Sequence, residues 1–211
     1  MSSERVPLLL FSGGLDSTAI LQQSLEVSDV DVLYVIGRQC PTKAIKEQKT
    51  VSKIINYFNK LSNKFKVRNT YIIDLKNLRI VAEAHKNGVV TKYIQAIDWI
   101  FAALDVINPN LHSALYMGYC QQDGFVELQN LIDAWTNLLK IRVYGTDSYN
   151  VTNYIGEVPL QCPFFNVPKL TRLMWLNPPL RKMIWVCETP KKYGAGYRAC
   201  GKCKPCKDHP L

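Results

Sequence analysis

The segment Ser12-Gly13-Gly14-Leu15-Asp16-Ser17-Thr18 sets glycines, hydroxyls and one carboxylate within seven residues. Glycines let backbone amides converge on an anion, and a helix beginning here would add positive potential. Ser12 and Ser17 offer hydroxyl donors, and Asp16 beside a phosphate suits a ligand or orienter of Mg²⁺. No lysine follows as in GxxxxGK[ST], and the spacing is not GxGxxG, which disfavours a dinucleotide fold. A plain helix cap, with Asp16 as a helix-end charge, accounts less well for the second glycine and for Ser17.

A second group lies at the other end. Four of the seven cysteines, Cys187, Cys200, Cys203 and Cys206, fall in the last 25 residues. Four thiolates fill one tetrahedral Zn²⁺ site. The overlapping CxxCxxC brings three, and Cys187 closes the set across twelve residues. An iron–sulfur cluster would use the same thiolates, and a redox dithiol would need only two. The odd count and terminal clustering disfavour a disulfide framework and favour a reducing, cytoplasmic setting. Cys40, Cys120 and Cys162 are scattered and read as small apolar residues, with Cys40 and Cys120 less favoured as neighbours of a pocket.

The elements that must position these groups follow from the apolar pattern. In 211 residues, 47% hydrophobic and 20% charged, there is material for a sizeable globular core. No apolar run reaches the ~18 residues of a membrane helix. The apolar runs at residues 6–11, 30–36, 67–73 and 113–117 predict buried strands, with a short fifth near 158–162. Helical patterns cover about 16–26, 43–61, 91–106, 125–139 and 168–176. Strands alternating with helices predict an α/β fold, a parallel five-stranded sheet with flanking helices, which binds ligands beyond the carboxyl ends of its strands. Glycines end three strands (Gly13-Gly14, Gly37 and Gly118), and each admits a ligand or simply makes a tight turn. After Pro178-Pro179 the character changes. We expect an ATP-binding domain over 1–180 and a zinc-binding segment over 181–211 packed on it.

The net charge is +9, from 26 Lys and Arg against 17 Asp and Glu, and suits an anionic partner. Residues 181–211 hold eight of the cations against two acids. Those lysines read first as a solvated surface, with direct nucleic-acid binding a less favoured reading.

SGGxDS after a strand resembles the loop of the N-type ATP pyrophosphatases, the PP-loop superfamily of adenine nucleotide alpha hydrolase-like, Rossmann-like fold. Those enzymes cleave ATP between the α- and β-phosphates. Together with the Cys-x12-Cys-Gly-x-Cys-x2-Cys ending, the chain resembles the 7-cyano-7-deazaguanine synthase family, QueC. Val90-Thr91-Lys92-Tyr93 falls on that family's glycine-arginine-asparagine tract. Gly118-Tyr119-Cys120-Gln121-Gln122-Asp123 falls on its Gly-x-x-Glu-Thr-Asp, and Pro163 and Lys169 fall on a family proline and lysine. The resemblance implies ATP, Mg²⁺ and Zn²⁺. It implies 7-carboxy-7-deazaguanine and free ammonia as substrates, and a homodimer. Ser12 to Thr18, Gly37 and Gly118 would hold nucleotide, while Asp16, Lys92 and Lys169 would act on the phosphates. Gln121, Gln122 and Asp123 would read the deazaguanine edge, and Cys187, Cys200, Cys203 and Cys206 would bind zinc. Surface roles remain open for both lysines and for the 121–123 loop.

The departures lie in substrate recognition. The family's Ser-Gly-Tyr-Pro-Asp-Cys-Arg tract is replaced by Gly124-Phe125-Val126-Glu127-Leu128-Gln129. Lys92 stands for an arginine and loses its bidentate geometry. Ile36-Gly37-Arg38-Gln39 replaces a Tyr-Gly-Gln-Arg tract. Three other readings therefore stand beside the synthase: a related enzyme joining an adenylated carboxylate to a different amine, a PP-loop tRNA-modifying enzyme, and a non-catalytic zinc-ribbon module.

Overall fold

The computed structural model describes residues 4–37, 41–61, 64–75, 94–121, 125–144, 158–194 and 196–208. Five parallel strands form one sheet: β1 (Val6–Leu10), β2 (Val30–Ile36), β3 (Val67–Asp74), β4 (His112–Tyr116) and β5 (Leu160–Gln161), in the order β3-β2-β1-β4-β5. The expected α/β architecture is therefore present.

Central β1 is buried along its whole length, as its unbroken apolar run requires. The period-two alternation of a strand sends its residues to opposite faces. Leu9 packs with Val32 and Tyr34 of β2, against α1 (Leu15–Ser24) and α2 (Pro41–Lys60). Leu8 and Leu10 pack with Leu33 and Val35, against α3 (Ile94–Val106) and α4 (Phe125–Tyr144). Within α3, Ile100, Ala102 and Ala103 are buried, as its apolar sequence demands. Trp135 of α4 fills this second layer, and its indole N–H donates to the Val158 carbonyl (2.8 Å).

Buried charge joins the amino ends of the strands. Asp31 of β2 accepts from Arg68 Nε (3.2 Å) and Nη2 (2.8 Å), from the Asn69 amide (3.0 Å) and Nδ2 (3.1 Å), and meets His112 Nε2 at 3.2 Å. His112 Nδ1 accepts the Asn108 amide (2.9 Å), so the ring's proton sits on Nε2 and is donated to Asp31. Burial alone would raise the pKa of Asp31. The hydrogen bonds from His112, Arg68 and Asn69 outweigh it and hold the carboxyl well below the usual carboxylate range.

Beyond β5 the chain forms two short helices, α5 (Lys169–Trp175) and α6 (Pro178–Arg181), whose following residues return to the first layer through Leu176, Leu180 and Ile184. The sequence pattern showed no element in the tail. The structure has an antiparallel hairpin there, β6 (Lys191–Tyr193) with β7 (Gly196–Arg198), and a last helix α7 (Lys204–Asp208). Among the described residues no helix is long and apolar enough to cross a membrane.

Candidate functional site

The chain leaves β1 toward β2 on one side, and β4 lies on its other side. The crevice at the carboxyl ends of β1 and β4 is therefore the topological switch point of the sheet. Ser12, Gly13 and Gly14 follow β1 into that crevice, and Gly118 comes from the end of β4. A Cβ at Gly118 would stand 3.1 Å from Asp16 Cβ and 3.2 Å from the Ser17 amide nitrogen, so only glycine leaves the loop its room. Gly13 has φ +72°, and a Cβ there would meet Thr50 Cγ2 of α2 at 2.9 Å.

The loop's own bonds are long. The Ser12 amide donates to Ser17 Oγ (3.3 Å), the Gly14 amide to Ser12 Oγ (3.4 Å), and Ser17 Oγ to the Gly14 carbonyl (3.4 Å). The amides of Leu15, Asp16 and Ser17 form the first turn of α1, where no intrahelical acceptor exists. Thr18 begins the regular ladder by donating to the Gly14 carbonyl (3.0 Å), yet its buried Oγ1 has no partner among the described residues. Two weakly engaged hydroxyls, one idle hydroxyl and a helix N-terminus make a cradle suited to phosphate oxygens.

Sequence reasoning missed the strongest charge in this cradle. Arg172 of α5 is 1% exposed, and its Nη1 lies 2.7 Å from Asp16 Oδ1. The approach is off hydrogen-bond alignment, and both Nε and Nη1 of Arg172 are buried without a hydrogen-bond partner among the described residues. Helix α5 is inverted relative to its hydropathy: Leu170 (66%) and Met174 (58%) face outward while the arginine faces in. A buried arginine among exposed apolar residues is a pattern that periodicity misreads. Two clasps hold α5 in this orientation. Gln22 of α1 donates to the Trp175 carbonyl (2.8 Å) and accepts the Asn177 amide (3.0 Å). Arg181 donates to the carbonyls of Leu176 (2.8 Å) and Met174 (2.7 Å).

The other expected residues are distributed unevenly. Lys169 opens α5, half-buried and three residues before Arg172, hence on the same side of the helix. Gly37 ends β2 with nothing within 4 Å of where its Cβ would be, so no close approach demands glycine there. Gln121 is exposed, and its amide donates to the Phe165 carbonyl (2.9 Å). Lys92, Gln122, Asp123 and Cys40 lie outside the described residues. Cys120 is buried and Cys162 half-buried.

The four terminal cysteines do come together. Their sulfurs all lie within 4.8 Å of one another, close to the ~3.8 Å edge of a tetrahedron with Zn–S bonds of about 2.3 Å. The Cys200 amide donates to Cys187 Sγ (3.2 Å), and the amides of Lys202 and Cys203 donate to Cys200 Sγ (3.3 Å each). The Thr189 hydroxyl and these amides pull the Cys200 thiol down to about 5, while burial pushes Cys187 up to about 12. The cluster fits a structural zinc, whose binding would displace the remaining protons.

Trp185 joins the two groups. Its amide donates to the Gly13 carbonyl (3.0 Å), and its indole N–H donates to the Cys187 carbonyl (3.0 Å). Lys46 of α2 lies 4.9 Å from the centre of its ring. Beside it Lys43 bridges Glu47 (3.6 Å) and Glu188 (2.5 Å), and binds the cysteine segment to α2. One residue therefore braces the back of the glycine loop against the first cysteine of the cluster.

Fold and site define a parallel α/β protein with a glycine loop at its switch point and a four-cysteine knuckle behind that loop. No protein family model matches the chain, and no curated protein does. Among solved structures it is similar to one described as a "predicted subunit of tRNA methyltransferase" from Methanocaldococcus jannaschii. The identity is 15% over 92% of this chain and 83% of that one, with a TM-score of 0.47.

Proposed function

We propose that this protein is a Mg·ATP-dependent, zinc-containing ligase that activates a carboxylate by adenylation, with 7-carboxy-7-deazaguanine and ammonia as its substrates and 7-cyano-7-deazaguanine as its product. The observation that carries the reading is the strand–SGGLDS–helix loop at the switch point, with the buried cation Arg172 set against Asp16.

In this reading the loop amides and the hydroxyls of Ser12, Ser17 and Thr18 hold the β- and γ-phosphates. A carboxylate oxygen of the substrate attacks the α-phosphorus, the bond to the β-phosphate oxygen breaks, and pyrophosphate leaves. Ammonia then attacks the acyl carbon, loses a proton and expels AMP to give the amide. A second ATP adenylates the amide oxygen, and loss of AMP and protons leaves the nitrile. Arg172 and Lys169 supply positive charge toward the phosphates, where negative charge grows as pyrophosphate departs. Asp16 would hold Mg²⁺, which supplies charge neutralisation on the phosphates. The four thiolates would hold zinc as a brace, acting on the loop through Trp185.

A second reading keeps the adenylation and changes the amine. It is favoured by the Gly124–Gln129 tract, which lacks the polar residues expected for base recognition. One assay distinguishes the two. The protein is incubated with ATP, Mg²⁺, ammonium and 7-carboxy-7-deazaguanine, and AMP, pyrophosphate and nitrile are followed by mass spectrometry. We expect nitrile over many turnovers, and none from a folded Asp16→Ala variant. AMP release that stops at the amide, or that needs another nucleophile, selects the second reading. No AMP under any of these conditions, or full activity in Asp16→Ala, overturns both.

A further inference from the structure

The twelve residues between Cys187 and Cys200 contain the β6–β7 hairpin, a surface with no part in the reaction above. Lys191 lies opposite Arg198, Lys192 opposite Tyr197, and Tyr193 opposite Gly196. Directly opposed residues share a face, and successive residues alternate. One face thus carries Lys191, Tyr193 and Arg198, and the other Lys192 and Tyr197. The Arg198 guanidinium lies 4.6 Å from the centre of the Tyr193 ring. Tyr193 is 65% exposed, and the glycine opposite it has no side chain to cover the ring.

Cations surround this stack. Lys191, Lys192, Arg198, Lys202, Lys204 and Lys207 are all exposed, and none joins an ion pair among the described residues. Glu188, one of the two acids in the segment, is already held by Lys43. Residues 188–208 contain no Leu, Ile, Val, Met, Phe or Trp. A surface that binds lipid sets large apolar residues beside its cations, and this one has none. Spaced cations around an exposed aromatic–guanidinium stack match a chain of phosphates with unpaired bases.

We infer that this hairpin, stapled at its base by the four-cysteine cluster, is a binding surface for single-stranded nucleic acid, with Tyr193 and Arg198 as the stacking platform and the surrounding lysines contacting phosphates. Two strands of three residues do not hold together alone in water. The cysteine cluster brackets their ends, so a metal held there would fix the surface.

The test uses the full-length, zinc-loaded protein without ATP, and so stands or falls separately from the ligase reading. Fluorescence anisotropy follows a labelled twelve-nucleotide oligo-uridine. We expect saturable binding that weakens roughly 15- to 60-fold between 50 and 200 mM salt, as two to three units of log–log slope require. Tyr193→Ala weakens it five-fold or more with the salt slope kept, and Tyr193→Phe restores it. Lys191→Gln with Arg198→Gln weakens it and flattens the slope, with zinc content and melting temperature unchanged. Chelation of the zinc abolishes it. Absence of saturable binding at 50 mM salt overturns the inference. So does unchanged affinity in Tyr193→Ala, or binding to phosphatidylserine vesicles in place of the oligonucleotide.

Discussion

Each end of the β-sheet pairs an aspartate with an arginine: at one end the aspartate is the buried partner, at the other the arginine, and the two pairs are built to opposite standards. At the amino ends, five donors converge on Asp31: two from Arg68, two from Asn69 and one from His112. At the carboxyl ends, Arg172 reaches Asp16 out of alignment and keeps two buried nitrogens without acceptors among the described residues. Arg172 is charge-paired with Asp16, yet among the described residues no well-aligned acceptor meets its Nε or Nη1, which is costly for a buried cation. The lesson is that completed polar clusters hold structure, while under-satisfied ones mark where a ligand's atoms belong. By that criterion the cradle around Ser12–Thr18 is the candidate site and the Asp31 cluster is scaffold.

The largest effect that can break this contrast is on stability. Asp31→Ala strands Arg68 and His112 and should cost about 3–5 kcal/mol, the usual loss when one member of a buried pair is removed. Chemical denaturation measures it, and protein that remains folded should release AMP at the normal rate. A loss below ~1 kcal/mol, or a selective loss of turnover, would erase the distinction between the two ends.

Arg172→Met should do the reverse. AMP release should fall about 100-fold, in the range of a lost transition-state donor. Steady-state kinetics give that number, and a melting temperature within a few degrees of wild type shows that no structural bond of consequence was removed. A collapse in stability with the rate per folded molecule preserved would return Arg172 to the scaffold.

The smallest effect is acid sensitivity. The pKa of Asp31 is lowered on folding, so its contribution is present above the unfolded value of about 3.9 and is lost as pH falls through the folded range. Urea unfolding between pH 6 and 3 should therefore show stability declining below about pH 4. In Asp31→Asn that decline should be shallower.

The same contrast explains what could be read from sequence. Short, mostly apolar runs such as VPLLLF and VDVLYVI suit doubly buried strands, and their alternation with helical patterns pointed to the parallel sheet. Observed boundaries differ by a few residues: β1 ends at Leu10 rather than Phe11, and β4 starts at His112 rather than Ser113. The glycine loop and the cysteine set were legible because their chemistry depends on local spacing. Arg172 was hidden because hydropathy alone would bury Leu170 and Met174, which face solvent, and leave the arginine outside. The hairpin was hidden because three-residue strands without buried side chains carry no apolar alternation. Trp185 was hidden because its role depends on two bonds to carbonyls near the chain's opposite ends, its amide donating to Gly13 and its indole N–H to Cys187.

The central claim is that the carboxyl-end cradle, with Arg172 as its cation, takes a nucleotide triphosphate. Isothermal titration of wild type and Arg172→Met with Mg²⁺ and a non-hydrolysable α,β-methylene ATP tests it most directly. The account predicts a single site in wild type and at least ten-fold weaker binding in the folded variant. No binding to folded wild type, or equal affinity in the two proteins, would contradict it.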